Sequence, residues 1–185
     1  MSDKTKSILL ILLILIVDQT FKIIVKTNMV IGQEVYVLGD WFRIHFLENN
    51  GMAFGMEMGG STGKTLLSLF RILAIAAIIW YLIKLFKSKA TTGLILCVSA
   101  IVAGAIGNLI DSAFYGLIFS ESWHSAAVLF PDGGGYSSFL HGRVVDMLYF
   151  PLIDTTWPSW SPIHAGQEFV FFRPVFNIAD SSIFV

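Results

Sequence analysis

Two stretches of this sequence repeat one polar pattern inside apolar surroundings. Asn108-Leu109-Ile110-Asp111 and Asn177-Ile178-Ala179-Asp180 each set an amide and a carboxyl three residues apart. On a helix, positions i and i+3 share a face, so each copy aims its Asn and Asp together at a bundle interior. A third carboxyl, Asp146, follows Val144-Val145 and precedes Met147-Leu148-Tyr149-Phe150, which embeds it in apolar sequence too. One such Asp is explained well enough by a hydrogen bond to a neighbouring helix or by a helix cap. Three in one small apolar chain favour function, because buried carboxyls are costly in a membrane. Two carboxyls held close together cannot both ionise easily, so one keeps a proton and the pair divides the labour of acid and base. Such a pair activates a water for peptide hydrolysis without metal, cysteine or serine. The competing use is metal ligation, and hard cations want several oxygens. His45, His124, His141 and His164 are scattered without HExxH-like spacing, and Gly133-Gly134-Gly135 lacks the lysine and helix of a phosphate loop. Neither a metal nor any other cofactor is expected.

These carboxyls need a scaffold that lipid can surround, and the composition supplies one. Of 185 residues 55% are hydrophobic and only 14% charged, with a mean hydropathy of +0.73; soluble domains carry about a quarter charged residues. The 12 basic and 13 acidic side chains give a net charge of −1, so no surface for nucleic acid is expected. The single cysteine, Cys97, excludes a disulfide framework within the chain. The reading is an all-α membrane protein, a four-transmembrane-helix bundle in one domain. Its helices run over about 7–26, 65–87, 92–119 and 176–185. About 20 apolar residues cross a bilayer, so the last helix is expected to be cut short. The first is expected to be retained, since no small-x-small cleavage site follows it.

Lysines set the orientation. Lys4 and Lys6 precede the first helix, and Lys84, Lys87 and Lys89 lie between the second and third; short cytoplasmic loops are enriched in such residues. The N-terminus is therefore expected in the cytoplasm, with residues 27–64 and 120–168 outside. In the first outer segment, Phe42, Ile44 and Phe46 alternate with Arg43 and His45 after a Gly39-Asp40 turn, which predicts a small extracytoplasmic β-hairpin. The second carries Trp123, Trp157 and Trp160, suited to headgroup depth.

Five segments in order resemble the signature of the lipoprotein signal peptidases (signal peptidase II). They are Asp18-Gln19-x-x-Lys22, Asn49-Asn50-Gly51-Met52-Ala53-Phe54, Gly107-Asn108-Leu109-Ile110-Asp111, Val144-Val145-Asp146 and Phe176-Asn177-Ile178-Ala179-Asp180. The resemblance implies a four-helix aspartyl endopeptidase of the bacterial cytoplasmic (inner) membrane that works as a monomer, with its active site near the outer face. Its substrates would be diacylglyceryl-modified prolipoproteins presented from membrane lipid and cut just before the modified cysteine. Residue by residue it implies Asp146 and Asp180 as the catalytic dyad. It further implies Asn49 and Gly51 as substrate-binding, and Asp18, Lys22, Asn108, Asp111 and Asn177 as supporting residues. The family commonly has Arg directly after the Asp of its Gly-Asn-x-x-Asp segment, and here that position is Ser112; Arg143 and Arg173 are the replacements considered from sequence. The stretch from Asp111 to Asp146 is also long for the family, and residues 120–140 are expected to form an outer flap. The alternatives weighed are a proton- or cation-coupled transporter using the same carboxyls, and an assembly factor whose carboxyls only join helices.

Overall fold

A computed structural model describes residues 1–50, 60–171 and 173–184; Gly51, and the rest of its motif from Met52 to Phe54, lie outside them. Helix α1 (Asp3–Asn28) starts at Ser2, whose hydroxyl accepts the Thr5 amide. At ~1.5 Å per residue its 26 residues are long enough to cross a bilayer. Its pattern is inverted relative to a soluble helix. Ile8, Leu12, Leu13 and Ile16 are exposed, while Ser7, Asp18, Lys22 and Lys26 are buried. Apolar residues outside and polar ones inside are what a lipid solvent demands.

Helix α2 (Gly60–Lys87) and helix α3 (Thr92–Ile110) complete three candidate spans. Leu82 and Leu85 of α2 pack on Ile95, Val98 and Val102 of α3. The Ser7 hydroxyl meets that of Ser99 at 2.6 Å and ties α1 to α3. The third span continues through a π-helical turn, Asp111–Tyr115, into α4 (Gly116–Ile118).

The remainder bears out the small antiparallel sheet expected beside the helices and enlarges it, for the described residues carry two antiparallel sheets. Strands β1 (Glu34–Leu38) and β2 (Phe42–Asn49) form the hairpin read from the sequence, with Gly39 at φ 53° in its turn. It extends into a four-stranded sheet of order β1-β2-β3-β6, using β3 (Val144–Tyr149) and β6 (Val175–Phe176). A separate hairpin pairs β4 (Ile153–Thr156) with β5 (Glu168–Phe171). The chain ends in α5 (Ile178–Ile183), a helix of six residues. Residues 120–140 pack against the first helix and the sheet. The Ala127 amide donates to the Lys26 carbonyl and the Tyr136 amide to that of Phe119, and Phe119 and Ala127 join Val25, Phe46, Val145 and Met147 in one core.

Candidate active site

The site forms where α1, α3, β3 and α5 meet. Helix α5 reaches α3 because residue 104 is glycine: a Cβ there would collide with the Ala179 carbonyl. The Asp18 carboxylate accepts the Ala179 amide at 2.9 Å, fixing the first turn of α5 against α1. Asn177 caps α5 in a reciprocal capping box. Its side-chain oxygen accepts the Asp180 amide at 2.8 Å, and the Asp180 carboxylate accepts the Asn177 amide at 3.3 Å. On the other side, β3 is the inner strand between β2 and β6, and five of its six residues are buried, Asp146 among them.

One amide joins the two halves. Asn177 Nδ2 lies 2.8 Å from Asp146 Oδ1, 3.1 Å from Asn108 Oδ1 and 3.2 Å from the Val145 carbonyl. Asn108 Nδ2 donates to Asp180 Oδ1 at 2.7 Å, and Asn49 Nδ2 donates to Asp146 Oδ2. The register Asn49↔Val144 and Leu47↔Asp146 between β2 and β3 brings Asn49 within reach. Asp146 and Asp180 are therefore held through shared asparagine amides.

Beneath them is a second cluster. Lys22 Nζ lies 3.0 Å from Asp18 Oδ2, 2.8 Å from Asp111 Oδ2 and 2.9 Å from Asn108 Oδ1, with all three ionic side chains fully buried. Gln19 Nε2 donates to Asp111 Oδ1 at 3.0 Å, and the Val145 amide donates to Asp111 Oδ2 at 3.2 Å. Asp111 thus clamps β3 one residue before Asp146.

Burial, and next the charge of Asp180, push the Asp146 carboxyl up from 3.8 to about 7, against the opposing pull of Asn177, Lys22 and Asn49. Asp146 is therefore able to hold a proton near neutral pH while a second carboxyl stands beside it.

Every described residue singled out from the sequence gathers here except the arginines considered for position 112. Arg143 turns away to Glu121 at 2.7 Å and Glu48 at 3.2 Å, and these acids, Glu121 foremost, raise its pKa. Arg173 is exposed. The arginine that reaches Ser112 is Arg71 of α2, whose Nη1 donates to Ser112 Oγ at 3.2 Å. It breaks the apolar run of α2 in the sequence, and that was its only signal. Glu48 was also missed: it is buried against Lys26 and lies 3.2 Å from Ser122 Oγ, so it bolts the 120–140 segment to the strand that carries Asn49. In the sequence it is one carboxylate in a strand that looks half exposed.

The fold is that of bacterial membrane enzymes. Two structures so described, solved by the in meso method at 2.3 and 1.9 Å, match with a TM-score of 0.61 each at 25% and 26% identity. Each match covers 97% of this chain, and 81% and 86% of the respective neighbour. A family model described as Signal peptidase (SPase) II matches residues 10–185, and the chain belongs to that family. Among relatives, a protein named Lipoprotein signal peptidase from Porphyromonas gingivalis is 57% identical over 94% of this chain and 76% of its own length. One of the same name from Amoebophilus asiaticus is 38% identical over 93% and 70%.

Proposed function

We propose that Asp146 and Asp180 are the catalytic dyad of an aspartic endopeptidase. Family membership makes the chain a peptidase that removes signal peptides from prolipoproteins, and favours that activity over the transporter weighed from the sequence. The observation that carries the catalytic reading is the pairing of Asp146 and Asp180 through Asn177 and Asn108, with Asp146 raised to about 7. Asp180 takes a proton from water, whose oxygen adds to the scissile carbonyl carbon. Asp146 gives its proton to the carbonyl oxygen; as the C–N bond breaks, Asp180 passes the water proton to the leaving amine and a hydroxyl proton of the diol returns to Asp146. Asn49 and Asn177 hold Asp146, Asn108 holds Asp180, and Asp18, Lys22 and Asp111 fix the elements that bear them. Gly51, in the motif beside Asn49, belongs to the substrate-binding group.

The substrate is a prolipoprotein whose cysteine bears diacylglyceryl, and cleavage falls just before that cysteine. The enzyme acts as a monomer in the cytoplasmic membrane, a four-helix bundle in which α5 is the fourth helix. Lys4 and Lys87 border one crevice with Ile83 and Phe86 at the end of the bundle away from the sheet. That basic end supports a cytoplasmic N-terminus, with the sheet and dyad toward the outer face. Acyl burial, at roughly 0.8 kcal/mol per CH₂, then supplies much of the binding. Cleavage of one prolipoprotein with and without diacylglyceryl at equal concentration tests this. The modified form is expected to be cut far faster, and equal cleavage would remove lipid from the recognition.

A further inference from the structure

Helix α2 should face only lipid and its neighbours, yet it carries a polar stripe. Lys64, Ser68 and Arg71 follow one another at i, i+4 and i+7, hence on one face. Each points to the elements around the dyad. Lys64 Nζ donates to the His141 carbonyl at 2.8 Å, Ser68 Oγ to the Leu140 carbonyl at 3.1 Å, and Arg71 Nη1 to Ser112 Oγ at 3.2 Å. Ser112 is 2% exposed, and its hydroxyl donates in turn to the Asn108 carbonyl at 3.1 Å. Asn108 is the residue whose amide holds Asp180. The π-helical turn Asp111–Tyr115 starts at this point and puts an extra residue into the helix ladder, a device frequent at functional sites. The carboxylates whose charge acts on the Arg71 guanidinium are Asp180, then Asp111, then Asp146.

An arginine within a membrane span is costly and calls for a purpose. Asp111 shares Lys22 with Asp18, and the carboxylate that acts most strongly on the Arg71 charge is Asp180 of the dyad. Resting on the dyad reading, we propose that Arg71 is a positioning residue for catalysis, delivered from α2 through Ser112. It takes the place of the arginine that the family pattern has at position 112 and sets its positive charge against Asp180. The docking of α2 thereby becomes a condition of activity. The other charged groups facing the dyad are Asp18 and Lys22 from α1 and Asp111 from the π-helical turn, with Lys64 on α2, Glu48 on β2 and Arg143 just before β3 farther out.

The test follows cleavage of diacylglyceryl-modified prolipoprotein by full-length protein in detergent, with thermal melts alongside. Arg71→Gln is expected to lower kcat at least about tenfold, the scale of losing one preorganised charge, while KM changes less. A lost cation raises carboxyl pKa values, so the alkaline limb of its pH profile should move to higher pH. Arg71→Lys should restore most of the rate and the limb. The exchange Arg71→Ser with Ser112→Arg should recover activity that Arg71→Ser alone loses. A rate for Arg71→Gln within twofold of wild type, or a loss that neither Arg71→Lys nor the exchange relieves and that leaves the limb in place, would overturn the proposal. Asp146→Asn in the same series keeps the two readings apart: if it too stays active, it is the dyad that fails.

Discussion

Two clusters of buried carboxylates lie side by side in this molecule, and they are built differently. Asp18 and Asp111 share the Lys22 ammonium at 3.0 and 2.8 Å, with none of the three exposed to solvent. Asp146 and Asp180 instead receive asparagine amides, at 2.8 Å from Asn177 and 2.7 Å from Asn108. The first cluster is fixed by a cation, since one ammonium bridges both carboxylates and holds them in place. An amide can hold a carboxyl in either protonation state, which leaves the proton free to move. The contrast sets the proposed reaction centre apart from its scaffold among carboxyls that a sequence presents as equals.

The largest way to break the contrast is to disable the reaction centre. Asp146→Asn and Asp180→Asn should each lower the cleavage rate by at least ~10²-fold and still fold, as judged by a cooperative melt in detergent. Lys22→Met attacks the scaffold instead. It strands two buried carboxylates, so stability should fall by about 3–5 kcal/mol, read as a lower melting temperature that substrate does not repair.

The pH dependence sharpens the same comparison. Asp146 is raised from 3.8 to about 7, so the folded state holds its proton more tightly than the unfolded one. Its contribution to stability is full below pH ~4 and is lost as pH rises to about 7. Melts of Asp146→Asn should lack that decline. In activity, kcat/KM should fall as pH rises through about 7, where the pair loses its shared proton.

Smaller effects are expected at the rim. Asn49→Ala removes one of the two amides on Asp146, and should reduce turnover without changing which bond is cut. Cys97→Ala and chelation with EDTA should leave the rate near wild type, because the dyad chemistry asks for neither thiol nor metal. Inhibition by EDTA that zinc or magnesium reverses would contradict this.

Much of this arrangement could be read from the sequence, because the motifs and the apolar runs carry it locally. Hydropathy located the three spans, and the alternation of Phe42, Ile44 and Phe46 located β2. What escaped depends on partners distant in the chain. Val144–Tyr149 is a nearly unbroken apolar run, and an inner strand buried on both faces has no alternation to betray it. Its sheet is completed by β6, only two residues long, which no periodicity can announce. Asn177 and Asp180 were paired by helical spacing, and the pairing holds as a capping box rather than as a mid-helix face. Arg71 looked like an interruption of α2, because its role rests on Ser112, 41 positions away.

The central claim is that Asp146 and Asp180 act as one unit, and single-turnover cleavage by Asp146→Asn, Asp180→Asn and the double variant tests it most directly. Residues that share one step are strongly non-additive. The account predicts that the double variant is no slower than the slower single variant, both singles having already lost at least ~10²-fold. Losses that multiply in the double variant, or a single variant that keeps more than about a tenth of the wild-type rate, would contradict it.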